Sequence, residues 1–259
     1  MANEEKTGAI QTDAGEEKKN DQLASLFALQ QAPVDEEVLV DMTKAGVVYG
    51  HKKSRKNPRF GEYVFSVRNG IELIDVTKTL HAIEIVAQFL KKNKVEGKNI
   101  LIVGTQAAAR EGVEKLSAAL GNCPFVVDKW IGGLITNFSV LSKRLDYFKR
   151  QKKGLAEGAF AKYTKRERLL MEREVAKMEN KFKGLEDFKG VPDIMFVIDG
   201  SVRGHKTAIH EAVVKKIKLV GIIDNDDDPS IFSFFIPAND HSRSSINWVV
   251  DKLVSQLSK

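Results

Sequence analysis

Beyond residue 62 the apolar positions follow two periods. The stretch "YVFSVRNGIELIDV" alternates apolar and polar residues on either side of Asn69-Gly70, a pair whose members both tolerate positive φ, and predicts a β-hairpin turning there. After it, short apolar runs trade places with segments of helical period. Helices are predicted over 77–92, 106–120, 205–217 and about 240–257, and strands at "NILIVGT", "PFVVDKW", "DIMFVID", "KLVGIID" and the short "FSFFIP". Apolar runs of four to six residues between helices suit a parallel sheet covered on both faces, so the fold class predicted is a three-layer α/β domain.

The alternation breaks off between about 136 and 190. There Phe138, Leu141, Leu145 and Phe148 recur at spacings of three and four, as do Met171, Val175, Met178, Phe182 and Leu185. Two such seams joined by "KKGLAEGAFAKYT" predict an antiparallel helical hairpin of coiled-coil type inserted into the domain. From Lys143 to Lys189 it holds fifteen Lys/Arg against eight Asp/Glu, a net +7, so the projection is basic and open to contact with RNA or protein.

Charge divides the 259-residue chain more sharply than its total of +6 indicates. Residues 1–41 hold three Lys/Arg against ten Asp/Glu, a net −7, which leaves +13 on the remainder. Residues 1–38 are expected to be an acidic, mostly disordered extension, with Leu23, Leu26, Phe27 and Leu29 forming about two turns of amphipathic helix. The α/β domain then covers 39–259. A body this basic favours a polyanionic partner, nucleic acid ahead of a membrane surface. The first twenty residues lack the basic and apolar regions of a signal peptide, no run is long enough to cross a bilayer, and Cys123 is the single cysteine; these point to the cytoplasm.

The most concentrated basic stretch is "GVVYGHKKSRKNPRF", residues 46–60, where Lys52, Lys53, Arg55, Lys56 and Arg59 occur without one acidic residue. Its apolar half is expected to anchor on the core, its basic half to hold RNA backbone, and His51 to orient the loop. Arg68 at the hairpin turn and Lys129 beside Trp130 join this set, followed by Lys143, Arg144, Lys149 and Arg150 on the helical insertion.

Catalytic chemistry finds little support. Neither G-x-G-x-x-G nor G-x-x-x-x-G-K-[ST] occurs; "VGTQAAAREG" offers Gly104 and then alanines, which suit close packing of a helix on the sheet. "WIGGLITNF" holds a glycine pair that either makes a tight turn or presents backbone N–H groups to an anion. "DNDDDP", residues 224–229, begins where a strand ends, and Asp224, Asp226 and Asp199 describe the alternative: a magnesium-dependent phosphotransferase or nucleotide-binding enzyme. Turn formation accounts for the same residues. His205 and His210 lie five apart, some 140° around a helix, which disfavours a bidentate zinc pair and makes both surface or helix-end residues by default.

With these residues set out, the chain resembles the bacterial small-subunit ribosomal protein S-two family from about Val40 to Leu257. The resemblance rests on collinear blocks: "AGVVYGHKKSRKNPRF" with "VRNGIELIDVTKT", "VGTQAAARE", "KWIGGLITNF", "GVPDIMFVID", "AIHEAVVKKIKLVGIIDNDDDP" and "FIPANDHSRSSI". It implies a flavodoxin-like α/β domain with an inserted coiled-coil hairpin, no catalytic activity, no cofactor and no small-molecule substrate. It also implies binding to small-subunit ribosomal RNA beside other small-subunit proteins, with the mRNA-binding protein S-one among them where that is present. Val48 and Lys56 depart from the family's usual histidine and aromatic residue. "DGSVRGHKTAIHEA" is longer than usual and lacks the acidic, histidine-rich pattern, so no metal ligand is carried over.

Overall fold

The structure is a computed structural model that describes residues 36–258. The acidic extension up to residue 35 and its Leu23–Leu29 helix lie outside the described residues. The first described element is a helix the hydrophobic pattern did not predict, α1 (Glu36–Ala45), which takes residues 36–38 away from the expected extension and buries Met42.

A five-stranded parallel sheet is the centre of the domain, in the order β5-β4-β6-β7-β8. Its strands are β4 (Ile100–Val103), β5 (Phe125–Val126), β6 (Ile194–Ile198), β7 (Lys218–Ile223) and β8 (Phe234–Pro237). This is the 2-1-3-4-5 arrangement of flavodoxin-like doubly wound sheets. Of the predicted strand "PFVVDKW" only two residues pair with a neighbour, Phe125 and Val126. Strands buried on both faces need no polar positions, and β4 and β6 have none.

Successive side chains point to opposite faces, so each strand feeds two cores. Ile100, Ile102, Ile194, Phe196, Val220 and Ile222 pack against α2 (Val76–Val95), α3 (Arg110–Ala119) and α7 (Arg243–Leu257). Leu101, Val103, Met195, Val197 and Leu219 pack on the other face, against α6 (Arg203–Val214) and the helices α4 (Phe138–Ala156) and α5 (Lys165–Phe182). Gly104 is needed for that layering, because a Cβ there would meet Val113 Cγ2 at 2.6 Å. The α4 and α5 seams hold the residues their periodicity marked: Leu141, Leu145, Phe148, Val175 and Phe182 are buried, and the Phe148 and Phe182 rings lie 5.8 Å apart.

A second, three-stranded antiparallel sheet has the order β1-β3-β2, with β1 (Tyr49–Lys52), β2 (Val64–Arg68) and β3 (Ile71–Ile74). Arg68 pairs with Ile71 across Asn69 (φ 51°) and Gly70 (φ 77°), the turn the sequence predicted. The faces are another matter. Phe65, Val67 and Ile71 are exposed while Glu72 is fully buried, because a long-range polar partner rather than the apolar alternation sets this sheet's orientation.

Candidate nucleic-acid interface and the acidic strand ends

The segment 50–60 crosses the carboxyl end of the parallel sheet. Asn225, which follows β7, is fully buried. Its Oδ1 accepts from His51 N at 2.6 Å, and its Nδ2 donates to His51 O at 3.2 Å and to Glu72 Oε2 at 2.8 Å. Its own carbonyl accepts from Asn57 N at 2.7 Å. Lys56 reaches Glu72 Oε1 at 3.2 Å, and Arg59 reaches Asp228 at 3.0 Å and Ser230 Oγ at 2.7 Å.

These contacts divide the basic candidates. Lys56 neutralises a buried carboxylate and is half-buried, so its first commitment is to the fold, and Arg59 is exposed but shared with Asp228. Lys52, Lys53 and Arg55 are exposed and make no ion pair among the described residues. Lys53 N bonds to Gly70 O at 3.1 Å and Lys52 pairs with Ile71, which brings the trio to the same end of the small sheet as exposed Arg68. Lys129 is exposed on the loop after edge strand β5, and Lys143, Arg144, Lys149 and Arg150 are exposed along α4. Those five stand on elements other than the small sheet.

Glu211 on α6 holds the loop after Lys129. Its buried carboxylate accepts from Trp130 Nε1 (3.0 Å), Gly133 N (2.8 Å), Ile135 N (3.1 Å), and both N and Oγ1 of Thr136 (3.1 and 3.0 Å). Burial alone would push its pKa up; the donors outweigh that and hold it below the usual carboxylate value. Of the glycine pair in "WIGGLITNF", Gly133 presents its N–H to an anion, together with Ile135 and Thr136, and the anion is the chain's own.

The acidic residues named for magnesium chemistry come together at the ends of β6 and β7, joined by Asp227 and Asp240. Asp199 (φ 68°), Asp224, Asp227 and Asp240 are all buried. His51 Nδ1 lies 2.5 Å from Asp224 Oδ2, and His241 Nδ1 lies 2.6 Å from Asp240 Oδ1 and 3.8 Å from Asp199 Oδ2. The two imidazoles meet edge to face at 4.5 Å. Burial, with neighbouring carboxylates adding to it, pushes Asp224 and Asp227 up to about 8 and Asp240 well above its usual value. Three overlapping triads have donor atoms within 4.8 Å: His51, Asp224, His241; Asp199, Asp240, His241; and Asp224, Asp227, Asp240. Carboxylates with imidazoles form a donor set that suits a divalent cation. Beside them the Thr105 hydroxyl lies 2.9 Å from His205 Nε2, and Gln106 donates to Asp199.

His205 lies in the first turn of α6, a helix-end residue as expected, but not at the surface. It is fully buried; Nδ1 donates to Asp199 O at 2.5 Å and Nε2 accepts from Thr105 N at 2.9 Å, which ties the end of β4 to that of β6. Burial holds its pKa below the usual value. His210, one turn on, is exposed.

Comparison with known proteins shows the family. The family described as Ribosomal protein S2 matches residues 42–259. The small ribosomal subunit protein uS2 of Opitutus terrae is 37% identical over 215 residues, covering 83% of this chain and 70% of the relative. That of Petrotoga mobilis is 34% identical over 216 residues, covering 83% of this chain and 74% of the relative. A match this long, spanning the basic loop, the helical pair and the strand-end residues alike, makes the chain a member of the ribosomal protein S2 family.

Proposed function

We infer that the chain is a structural constituent of the small ribosomal subunit, not an enzyme, and that it binds ribosomal RNA in the cytoplasm beside other small-subunit proteins, S-one among them where present. The observation that carries this is the trio Lys52, Lys53 and Arg55, exposed beside Arg68 with no acidic partner among the described residues, on a loop anchored to a buried polar framework. Fixed cations without a finished catalytic centre suit recognition of the phosphate backbone of folded RNA. Residues 39–259 form the RNA-binding domain in this reading. Its coiled-coil insertion at about 136–190 adds Lys143, Arg144, Lys149 and Arg150 as a second basic surface, Lys129 lies on the loop after β5, and the acidic residues 1–38 are read as an extension whose last three residues open α1. Lys56 and Arg59 contribute mainly by shaping the loop.

The test is charge reversal of Lys52, Lys53 and Arg55 together, compared with reversal of Lys143, Arg144, Lys149 and Arg150. The first variant is expected to remain folded and lose most of its incorporation into small subunits; unchanged incorporation would remove the loop from the interface. The second variant reports separately on the insertion.

A further inference from the structure

Asn225 follows a strand end where α/β enzymes keep ligand-binding groups, yet every polar atom of its side chain is spent on the segment that carries the basic trio. Oδ1 takes the His51 N–H, while Nδ2 serves both the His51 carbonyl and a Glu72 carboxylate oxygen. The two His51 bonds reproduce what a neighbouring strand would supply to one residue of β1. Only one orientation of the amide works: reversed, it would set NH2 against an N–H and oxygen against two acceptors. Gly50 leaves room for the approach, since a Cβ there would meet Asn225 Oδ1 at 2.9 Å. Backbone bonding at His51, with Asn57 held by the Asn225 carbonyl, fixes the chain on both sides of Lys52, Lys53 and Arg55.

We propose that Asn225 is a positioning residue for RNA binding: by clamping both backbone groups of His51 it sets the direction in which Lys52, Lys53 and Arg55 leave the domain. The inference rests on the reading of that trio as a phosphate-binding group. Pre-organised cations reach several phosphates of a folded RNA at once, whereas a released loop must first lose its own conformational freedom. Aspartate at this position keeps the shape and loses the donor, placing an oxygen opposite Glu72 Oε2 and His51 O.

The experiment is a titration of small-subunit ribosomal RNA with the full chain at several salt concentrations, because the slope of log K against log salt counts the phosphates engaged. Asn225→Asp is expected to flatten the slope by about 2, out of the roughly 2–3 available from three contacts. Lys52, Lys53 and Arg55 changed together to Gln should flatten it similarly, and adding Asn225→Asp to that triple variant should change it no further. Circular dichroism monitors folding. Should Asn225→Asp fail to fold, Gly50→Ala, which presses on the clamp from its other side, takes its place with the same expected slope. A variant that melts earlier but keeps the wild-type slope, or one whose effect adds in full to the triple, would overturn the clamp. If the triple variant itself kept the wild-type slope, the RNA reading of the trio would fail and the clamp with it, and that outcome is distinguishable from a failure of the clamp alone.

Discussion

Glu211 offers the sharpest energetic prediction. Its carboxylate accepts from five donors at 2.8 to 3.1 Å, two of which belong to the buried residues Trp130 and Ile135. Glu211→Ala strands all five. Water entering from the half-exposed side can satisfy Gly133 and Thr136, but the indole and the Ile135 amide lose their partner inside. A buried donor left unmade costs about 1–3 kcal/mol, and bonds to a charged acceptor lie at the upper end. The total is about 3–5 kcal/mol, near the limit for a single substitution, and corresponds to a fall in Tm of roughly 6–20 °C for a domain of this size. Glu211→Gln keeps one acceptor oxygen and turns an NH2 toward N–H groups, so about half that loss is expected. Urea unfolding at pH 7, followed by the near-ultraviolet signal of the tryptophans, measures both variants. The sign with pH is fixed as well: a carboxyl held below its unfolded value stabilises the fold above that value and loses its contribution as pH falls through the folded one. The deficit of Glu211→Gln should therefore shrink below about pH 4.5. A cost under about 1 kcal/mol at pH 7, or one independent of pH down to 3, would refute the anion-cradle account.

Other consequences follow from buried charge. Asp224 and Asp227, held at about 8 by burial, carry protons in the folded chain that the unfolded chain releases near 3.8. Folding then takes up protons between about pH 4 and 8, so the isolated protein should lose stability as pH rises through that window, by up to ~1.4 kcal/mol per unit for each proton held. Asp240→Asn should flatten the decline in a pH series of urea midpoints; a stability rising from pH 5 to 8 would contradict the assignment. Lys56→Met leaves Glu72 buried without its cation and is expected to cost about 3–5 kcal/mol, whereas Lys53→Met, on the exposed loop, should stay within ~0.5 kcal/mol. Equal losses for the two variants would mean that Glu72 is not held as described.

What the sequence made legible was local. Asn69-Gly70 announced its turn because the dipeptide itself supplies the positive φ values, and the central strands β4 and β6 announced themselves by unbroken apolar runs. The hairpin helices were readable because Leu141, Leu145 and Phe148 on one arm and Val175 and Phe182 on the other keep a single period. What stayed hidden depends on partners far along the chain. Glu72 lies between Ile71 and Leu73 and alternation puts it outside; Asn225, 153 residues away, brings it in. Tyr49–Lys52 has no strand-like pattern and pairs because β3 and Asn225 offer it partners. His205 became a core residue through Thr105, 100 residues earlier, and nothing in its neighbours signals that. The basic loop was found by composition alone, but composition could not separate Lys56, which serves the fold, from Lys52, Lys53 and Arg55, which face outward.

Membership in the ribosomal particle is the central claim, and sedimentation tests it most directly. A tagged full-length chain, expressed in its own cells and followed through a sucrose gradient at low and at raised salt, should co-migrate with small subunits and with subunit-containing ribosomes at low salt. It should move toward the top of the gradient as salt weakens its phosphate contacts. A chain that stays at the top of the gradient at every salt concentration, with small subunits sedimenting normally without it, would contradict the account.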